Sequence, residues 1–229
     1  VARQDLVHAQ LAPFARRVEQ ARDAIRAFAA AGRCYAGVSW GKDSTVIAHL
    51  VATETPQVPL VYVRVVPVAN PDCALVRDAF LGRFPALIYH EVQVACWRNE
   101  TGMLRAAGTL ERGFAEASAL HGRRYVSGVR GEESGARQLT VRRNGVATTD
   151  SCRPLAWWSA ADVWAHLAAH DLPIHPAYAC SQGGAWPRDR IRVSGLGMRR
   201  GRGAGRAEWE IRYYGEELRQ IGWTLSDPS

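Results

Sequence analysis

The chain contains one lysine, Lys42, set inside Ser39-Trp40-Gly41-Lys42-Asp43-Ser44-Thr45. The other 28 basic residues are arginine, so a charge wanted only as charge is Arg everywhere else. An ammonium is a compact point charge that fits among phosphate oxygens, whereas a guanidinium is a planar fork suited to a two-oxygen face. Ser39, Ser44 and Thr45 add hydroxyl donors, and Asp43 adds a carboxylate that either helps position a metal or braces the turn. This combination points to binding a phosphorylated anion.

Two elements must hold these residues. Arg33-Cys34-Tyr35-Ala36-Gly37-Val38 is short, apolar and β-prone and predicts a buried strand. Residues 45–52 carry apolar side chains at helical spacing and predict a helix. A strand, a glycine turn and a helix start bring free amides and the positive end of a helix dipole onto one spot. The Walker A spacing does not apply, because only three residues separate Gly37 from Gly41 and Asp43 divides Lys42 from Ser44.

Ser-Trp-Gly-Lys-Asp-Ser resembles the Ser-Gly-Gly-x-Asp-Ser PP-loop of the adenine nucleotide α-hydrolase superfamily, with Trp40 in place of the first glycine. That superfamily includes the N-type ATP pyrophosphatases and the PAPS (phosphoadenosine phosphosulfate) reductases. Gly128-Val129-Arg130-Gly131-Glu132-Glu133-Ser134 resembles the Gly-(Ile/Val)-Arg-x-x-Glu-Ser segment of PAPS reductase-like proteins. The run from Arg153-Pro154-Leu155 through Trp157, Asp162-Val163-Trp164 and Leu172-Pro173 to Pro176-Ala177-Tyr178 resembles a third segment of theirs.

The resemblance implies a doubly wound, mainly parallel α/β sheet with helices on both faces. It implies ATP or a related adenine nucleotide as ligand, with Mg²⁺ bridging phosphate oxygens. Nucleotide contacts would come from Ser39, Trp40, Gly41, Lys42, Asp43, Ser44 and Thr45, and from Gly128, Gly131 and Glu132. Lys42, Asp43, Arg130 and Arg153 are the catalytic candidates, the arginines neutralising charge on a leaving group. Glu132 and Glu133 are metal or acceptor candidates, although acids after a strand are usually just solvated.

Three reactions suit such a chain. The first cleaves ATP between the α- and β-phosphates, adenylating an acceptor and releasing pyrophosphate. The second is sulfonucleotide reduction or sulfur transfer, which needs a nucleophilic cysteine. No cysteine follows Cys180, and no Cys-x-x-Cys or Cys-Cys pair suggests an iron–sulfur cluster. The third is a nucleotide- or nucleic-acid-binding module without catalysis.

The chain has 229 residues and 47% hydrophobic content, enough for one α/β domain with a buried core. We divide it into an N-terminal helix (1–32), a nucleotide-binding unit (33–180) and a basic loop with a final helix (181–229). The five cysteines are scattered, and no membrane-length apolar run or signal-peptide pattern is present, so a cytoplasmic protein with reduced thiols is expected. The net charge of +7 suits a polyanionic partner, either nucleotide or nucleic acid.

Residues 5–31 predict one long helix that packs on the sheet or on a second subunit, leaving a homodimer open. Further strands are expected over 58–63, 86–92 and 124–129, with helices at 72–82, 103–121, 159–169 and 207–221. Asn144-Gly145 between apolar flanks predicts a β-hairpin over 139–149. Ser159 and Asp162 form a capping-box start, which gives Asp162 a purely structural reading. The stretch 183–206 carries seven arginines among glycines, and predicts a flexible loop that orders over substrate or nucleic acid, or a solvated basic surface.

Overall fold

The computed structural model describes residues 2–100, 104–105, 108–179, 187–189, 191–197 and 206–222. Its centre is a parallel sheet of five strands: β1 (Tyr35–Val38), β2 (Leu60–Val66), β3 (Tyr89–Ala95), β6 (Tyr125–Val126) and β7 (Ser151–Cys152). Two short strands, β4 (Trp97–Arg98) and β5 (Leu104–Arg105), pair separately and antiparallel. The order in the large sheet is β3-β2-β1-β6-β7. The chain thus winds outward on one side of β1 and then returns to build the other side. That reversal lies between β1 and β6, where loops leaving the carboxyl ends diverge and leave a crevice.

Helices α3 (Lys42–Glu54) and α4 (Cys73–Arg83) make the crossovers from β1 to β2 and from β2 to β3. Helix α5 (Thr109–His121) carries the chain back from β3 towards β6 and packs on β2 and β3. Right-handed crossovers in opposite directions put α5 on the face opposite α3, so both faces are covered. Helix α3 has nine of its thirteen residues buried, among them Ile47, Leu50 and Val51. It is therefore apolar on more than one side. Helix α2 (Ala12–Ala30) packs on α3, and α7 (Ala160–Ala169) packs on α3 as well. Each fully buried Ile or Leu there contributes about 1.5–3 kcal/mol.

Three expectations are corrected. The N-terminal segment is two helices, α1 (Arg3–Ala9) and α2, and Pro13 occupies the first turn of α2. Proline has no N–H and its ring clashes with the preceding turn, so a single helix cannot run through it. The predicted hairpin is instead helix α6 (Gly135–Asn144), and Ser134 caps it by accepting from the Arg137 amide at 3.2 Å. Gly145 has φ +66° and donates to the Val141 carbonyl. Asn-Gly serves a helix end as well as a hairpin turn, because both need positive φ. The short strand β7 that follows was not anticipated.

The third correction concerns the solvated-surface reading of the basic stretch. Its described part, 187–189 and 191–197, is anchored: Ile191, Val193 and Leu196 are buried, and the Leu196 amide donates to the Val68 carbonyl at 2.7 Å. Apolar residues placed between the arginines hold it to the body of the protein. Arg188 pairs with Asp5 and lies over the Trp164 ring at 4.4 Å. Arg190, Arg199, Arg200, Arg202 and Cys180 lie outside the described residues. The last helix, α8 (Arg206–Gln220), buries Trp209 and Leu218. No helix among the described residues is long and apolar enough to cross a membrane.

Candidate active site

A cavity of about 1270 Å³ opens at the carboxyl ends of β1, β2 and β6. One wall is the turn from β1 into α3, with Ser39, Gly41, Lys42, Asp43 and Ser44 facing in. The opposite wall carries Ser127, Gly128, Val129, Arg130, Glu132 and Glu133 from the loop after β6. The two motifs, some ninety residues apart in sequence, thus share one rim. Tyr62, Val63, Val65, Leu110, Phe114 and Tyr125 give the cavity an apolar flank of a kind that can take a base and ribose.

The turn is held from within. Ser44 Oγ and Thr45 Oγ1 donate to the Gly41 carbonyl at 3.0 and 3.1 Å, and the Ser39 amide donates to Ser44 Oγ at 3.1 Å. Thr45 is buried and does not line the cavity. Gly41 is the N-cap of α3 and offers no side-chain cap. The first turn of α3 therefore turns amides and dipole towards the cavity. The Lys42 amide donates to the Tyr178 hydroxyl at 3.1 Å. Burial holds that phenol protonated, far above its ordinary pKa.

Trp40 occupies the position of the motif's first glycine with φ +58°, in the left-handed region. Its indole is fully buried and packs against Phe80 and Tyr89 at ring distances of 5.7 and 5.8 Å. It points into the core and does not line the cavity. The backbone keeps the path a glycine would take, and the buried ring offsets the strain, about 1–3 kcal/mol.

Asp43 sits between two cations. Lys42 Nζ donates to Oδ2 at 2.6 Å and Arg130 Nε to Oδ1 at 2.5 Å. Both cations are nearly fully buried. Arg130 Nη1 also reaches Glu132 at 2.6 Å, and Glu132 accepts from the Ala160 amide at 2.7 Å. Gly128 makes this approach possible: a Cβ there would stand 3.0 Å from the Asp43 carbonyl carbon and oxygen. Gly131 lies behind the rim with its amide on the Ala156 carbonyl at 2.9 Å. Arg153 does not line the cavity; its amide bonds to the Val146 carbonyl at 2.7 Å.

Other residues of the site were given no role there from sequence, apart from Arg192, which belongs to the basic stretch expected to order over substrate. Arg137 faces the cavity from α6 and pairs with Glu133. Burial, then the charges of Arg192 and Arg130, lower its pKa. Arg192, Asp189 and Tyr178 line the cavity too. The misread hairpin hid Arg137, whereas Tyr178 lay in a recognised segment whose role was not assigned. Among the described residues the lining includes four cations (Lys42, Arg130, Arg137, Arg192) and four carboxylates (Asp43, Glu132, Glu133, Asp189). These side-chain charges are close to balanced.

No cysteine among the described residues lines the cavity. Cys34, Cys73 and Cys152 are buried, and burial raises all three thiols, Cys73 and Cys152 to about 12. Cys73 lies behind the turn, 3.6 Å from the Ser39 carbonyl.

No protein-family model matches the chain. Among curated proteins it is similar to the phosphoadenosine 5'-phosphosulfate reductase of Xanthomonas axonopodis pv. citri, 25% identical over 194 residues, covering 77% of this chain and 76% of that protein. Among solved structures, a PAPS reductase from Candida auris superposes with TM-score 0.51 at 12% identity, over 70% of this chain and 84% of that one. An NMN synthetase from Francisella tularensis superposes with TM-score 0.50 at 10% identity, over 93% and 88%. These two structures share the fold.

Proposed function

We propose that this chain is a PAPS reductase-like protein of the PP-loop superfamily, which binds an adenine nucleotide with its phosphates against residues 39–44 and cleaves ATP between the α- and β-phosphates. The observation that carries the reading is Lys42: the only ammonium of the chain, buried in the turn and facing the cavity. The acceptor attacks the α-phosphorus, the bond to the bridging oxygen breaks, and pyrophosphate leaves with the electron pair. Lys42 and the first-turn amides of α3 hold the phosphate oxygens. Arg130 keeps Asp43 in place and adds positive charge where the leaving group develops its own.

Magnesium fits this site as a companion of the nucleotide. Asp43 is engaged by two cations, and Glu133 by Arg137; Glu132 meets Arg130 and the Ala160 amide through one oxygen, Oε2, and its half-exposed side chain would offer the other to a phosphate-bound ion. Such an ion would neutralise the phosphates as the bond breaks. The balanced charge of the cavity supports a metal–nucleotide pair over a bare anion.

The names of the curated relatives favour a second reading, reduction of a sulfonucleotide. The placement of the described thiols, none of which lines the cavity and three of which (Cys34, Cys73, Cys152) are buried, speaks for the first. Cys180, two residues beyond Tyr178, would be the thiol to examine. The test uses α-labelled ATP with Mg²⁺, alone and with RNA, DNA or small acceptors, beside PAPS or APS with a dithiol reductant. AMP and pyrophosphate support cleavage at the α-phosphate. Sulfite release abolished by Cys180→Ser supports reduction. Release of inorganic phosphate from ATP contradicts the proposal, and binding without turnover in every arm leaves a nucleotide-binding module.

A further inference from the structure

Away from the cavity, three histidines converge behind helix α3. His166 and His170 are four residues apart at the end of α7, which sets both imidazoles on one face. His49, from the middle of α3, meets them. His49 Nδ1 lies 3.0 Å from His166 Nε2, and one ring nitrogen of each histidine lies within 4.8 Å of the others. The ring centroids are 4.4 Å apart for His49 and His170, 4.5 Å for His166 and His170, and 5.1 Å for His49 and His166. Nothing in the nucleotide chemistry uses this cluster.

We propose that His49, His166 and His170 form a binding site for a borderline divalent transition metal, Zn²⁺ foremost, that clamps helix α3 to helix α7.

Three imidazoles with a fourth position left to water is a common zinc arrangement, and imidazole is the ligand type that Zn²⁺, Cu²⁺ and Ni²⁺ share. With Zn–N bonds of 2.0–2.1 Å, tetrahedral ligand nitrogens stand about 3.4 Å apart. The closest pair here would need to part by only about 0.4 Å from its 3.0 Å contact. His49 and His166 are buried and His170 is partly exposed, so the ion has an entry side. Phe84 and Trp158 flank the cluster at 5.9 Å from His49 and 5.7 Å from His166, which keeps the inner side apolar.

His166 presents Nε2 to the cluster, and its Nδ1 is buried with no hydrogen-bond partner among the described residues. Neutral imidazole is the form that ligates, and burial, followed by neighbouring charge, keeps these rings below the ordinary histidine pKa. The nearby guanidiniums have their own partners: Arg22 pairs with Glu54 and Glu19, and Arg83 donates to the His170 and Asp171 carbonyls. His49 lies seven residues beyond Lys42, about 10 Å along the helix, so an ion here would fix the element that begins at the phosphate-binding turn.

The test uses the 229-residue chain without an affinity tag, stripped with a chelator. Zn²⁺ is titrated against a chromophoric competitor, Co²⁺ is followed by its visible absorption, and Mg²⁺ serves as the control. The expected result is one equivalent of Zn²⁺, a Co²⁺ spectrum of a nitrogen-rich site, and a rise in melting temperature that Mg²⁺ does not reproduce. His170→Gln, the partly exposed position, should stay folded by circular dichroism. It should bind Zn²⁺ at least roughly tenfold to a hundredfold more weakly, since even a lost second-shell partner has that effect. His49→Gln should do the same, and if it fails to fold, His170→Gln decides alone. Binding in the wild type no tighter than in His170→Gln, or no Zn²⁺-dependent rise in melting temperature, would overturn the site.

Discussion

Replacing Lys42 separates charge from shape. In Lys42→Arg the charge survives, but the guanidinium must enter a turn where the lysine side chain is 4% exposed and its ammonium already rests 2.6 Å from Asp43. A planar fork cannot occupy that position without displacing Asp43 or the Tyr178 hydroxyl, which holds the Lys42 amide at 3.1 Å. In Lys42→Ala one charge-assisted contact to phosphate disappears and Asp43 keeps only Arg130. Such a contact is worth about 2 kcal/mol, or roughly thirtyfold in affinity. The arginine variant should fall between alanine and wild type. Calorimetric titration with a non-hydrolysable ATP analogue and Mg²⁺ gives the three constants, and circular dichroism confirms folding. Equal affinity in all three proteins would refute direct contact between this side chain and the ligand.

Three further outcomes are expected. Gly128→Ala puts a methyl 3.0 Å from backbone atoms of Asp43, which cannot yield as a side-chain tip could. It should cut nucleotide affinity at least about tenfold, one lost 1.4 kcal/mol, and an unchanged titration would show that the approach is not needed. Trp40→Gly restores the motif's glycine and relieves positive φ, yet empties a fully buried indole site. Denaturant melts should show a net loss of about 3 kcal/mol, and a gain would mean the strain outweighs the packing. Asp162 is buried, which would raise its pKa, but bonds from His8, Ser159 and Arg17 outweigh this and lower it below 3.8. Its folded pKa is depressed, so its contribution is present above about pH 4 and lost as pH falls further. Asp162→Asn should cost about 2 kcal/mol at neutral pH, Arg17 being partly exposed, and should flatten the stability profile below pH 4. A parallel profile in the two proteins would count against this ion pair.

Much of the fold could be read where signals were local and redundant. The strand, turn and helix around Lys42 appear where expected because apolar runs, a glycine and a change of period agree there. Ser159 and Asp162 do form a capping box, with Asp162 accepting from the Ser159 amide at 2.7 Å. The structural reading of Asp162 understated it, since the same carboxylate also anchors α1 and α2 through His8 and Arg17. What failed was local evidence with two solutions. Asn144-Gly145 suits a hairpin and a helix end equally, and here the Ser134 cap and the buried Val141 go with the helix. Pro13 was outweighed by a long apolar repeat, although a missing N–H and a ring clash override periodicity. The histidine cluster was invisible, because His49 lies 117 residues before His166 and meets the pair on α7 only when α3 packs there.

The pairing of opposite charges around the cavity has a consequence for discrimination. A small stray oxyanion, such as free sulfate, meets acids as well as bases there, and must pull an ion pair apart to settle. On the proposed reading, a nucleotide arriving with its counterion would satisfy both signs at once, and the valine and tyrosine flank would take its base. Selectivity against the abundant inorganic ions of a cell would then arise before any chemical step begins.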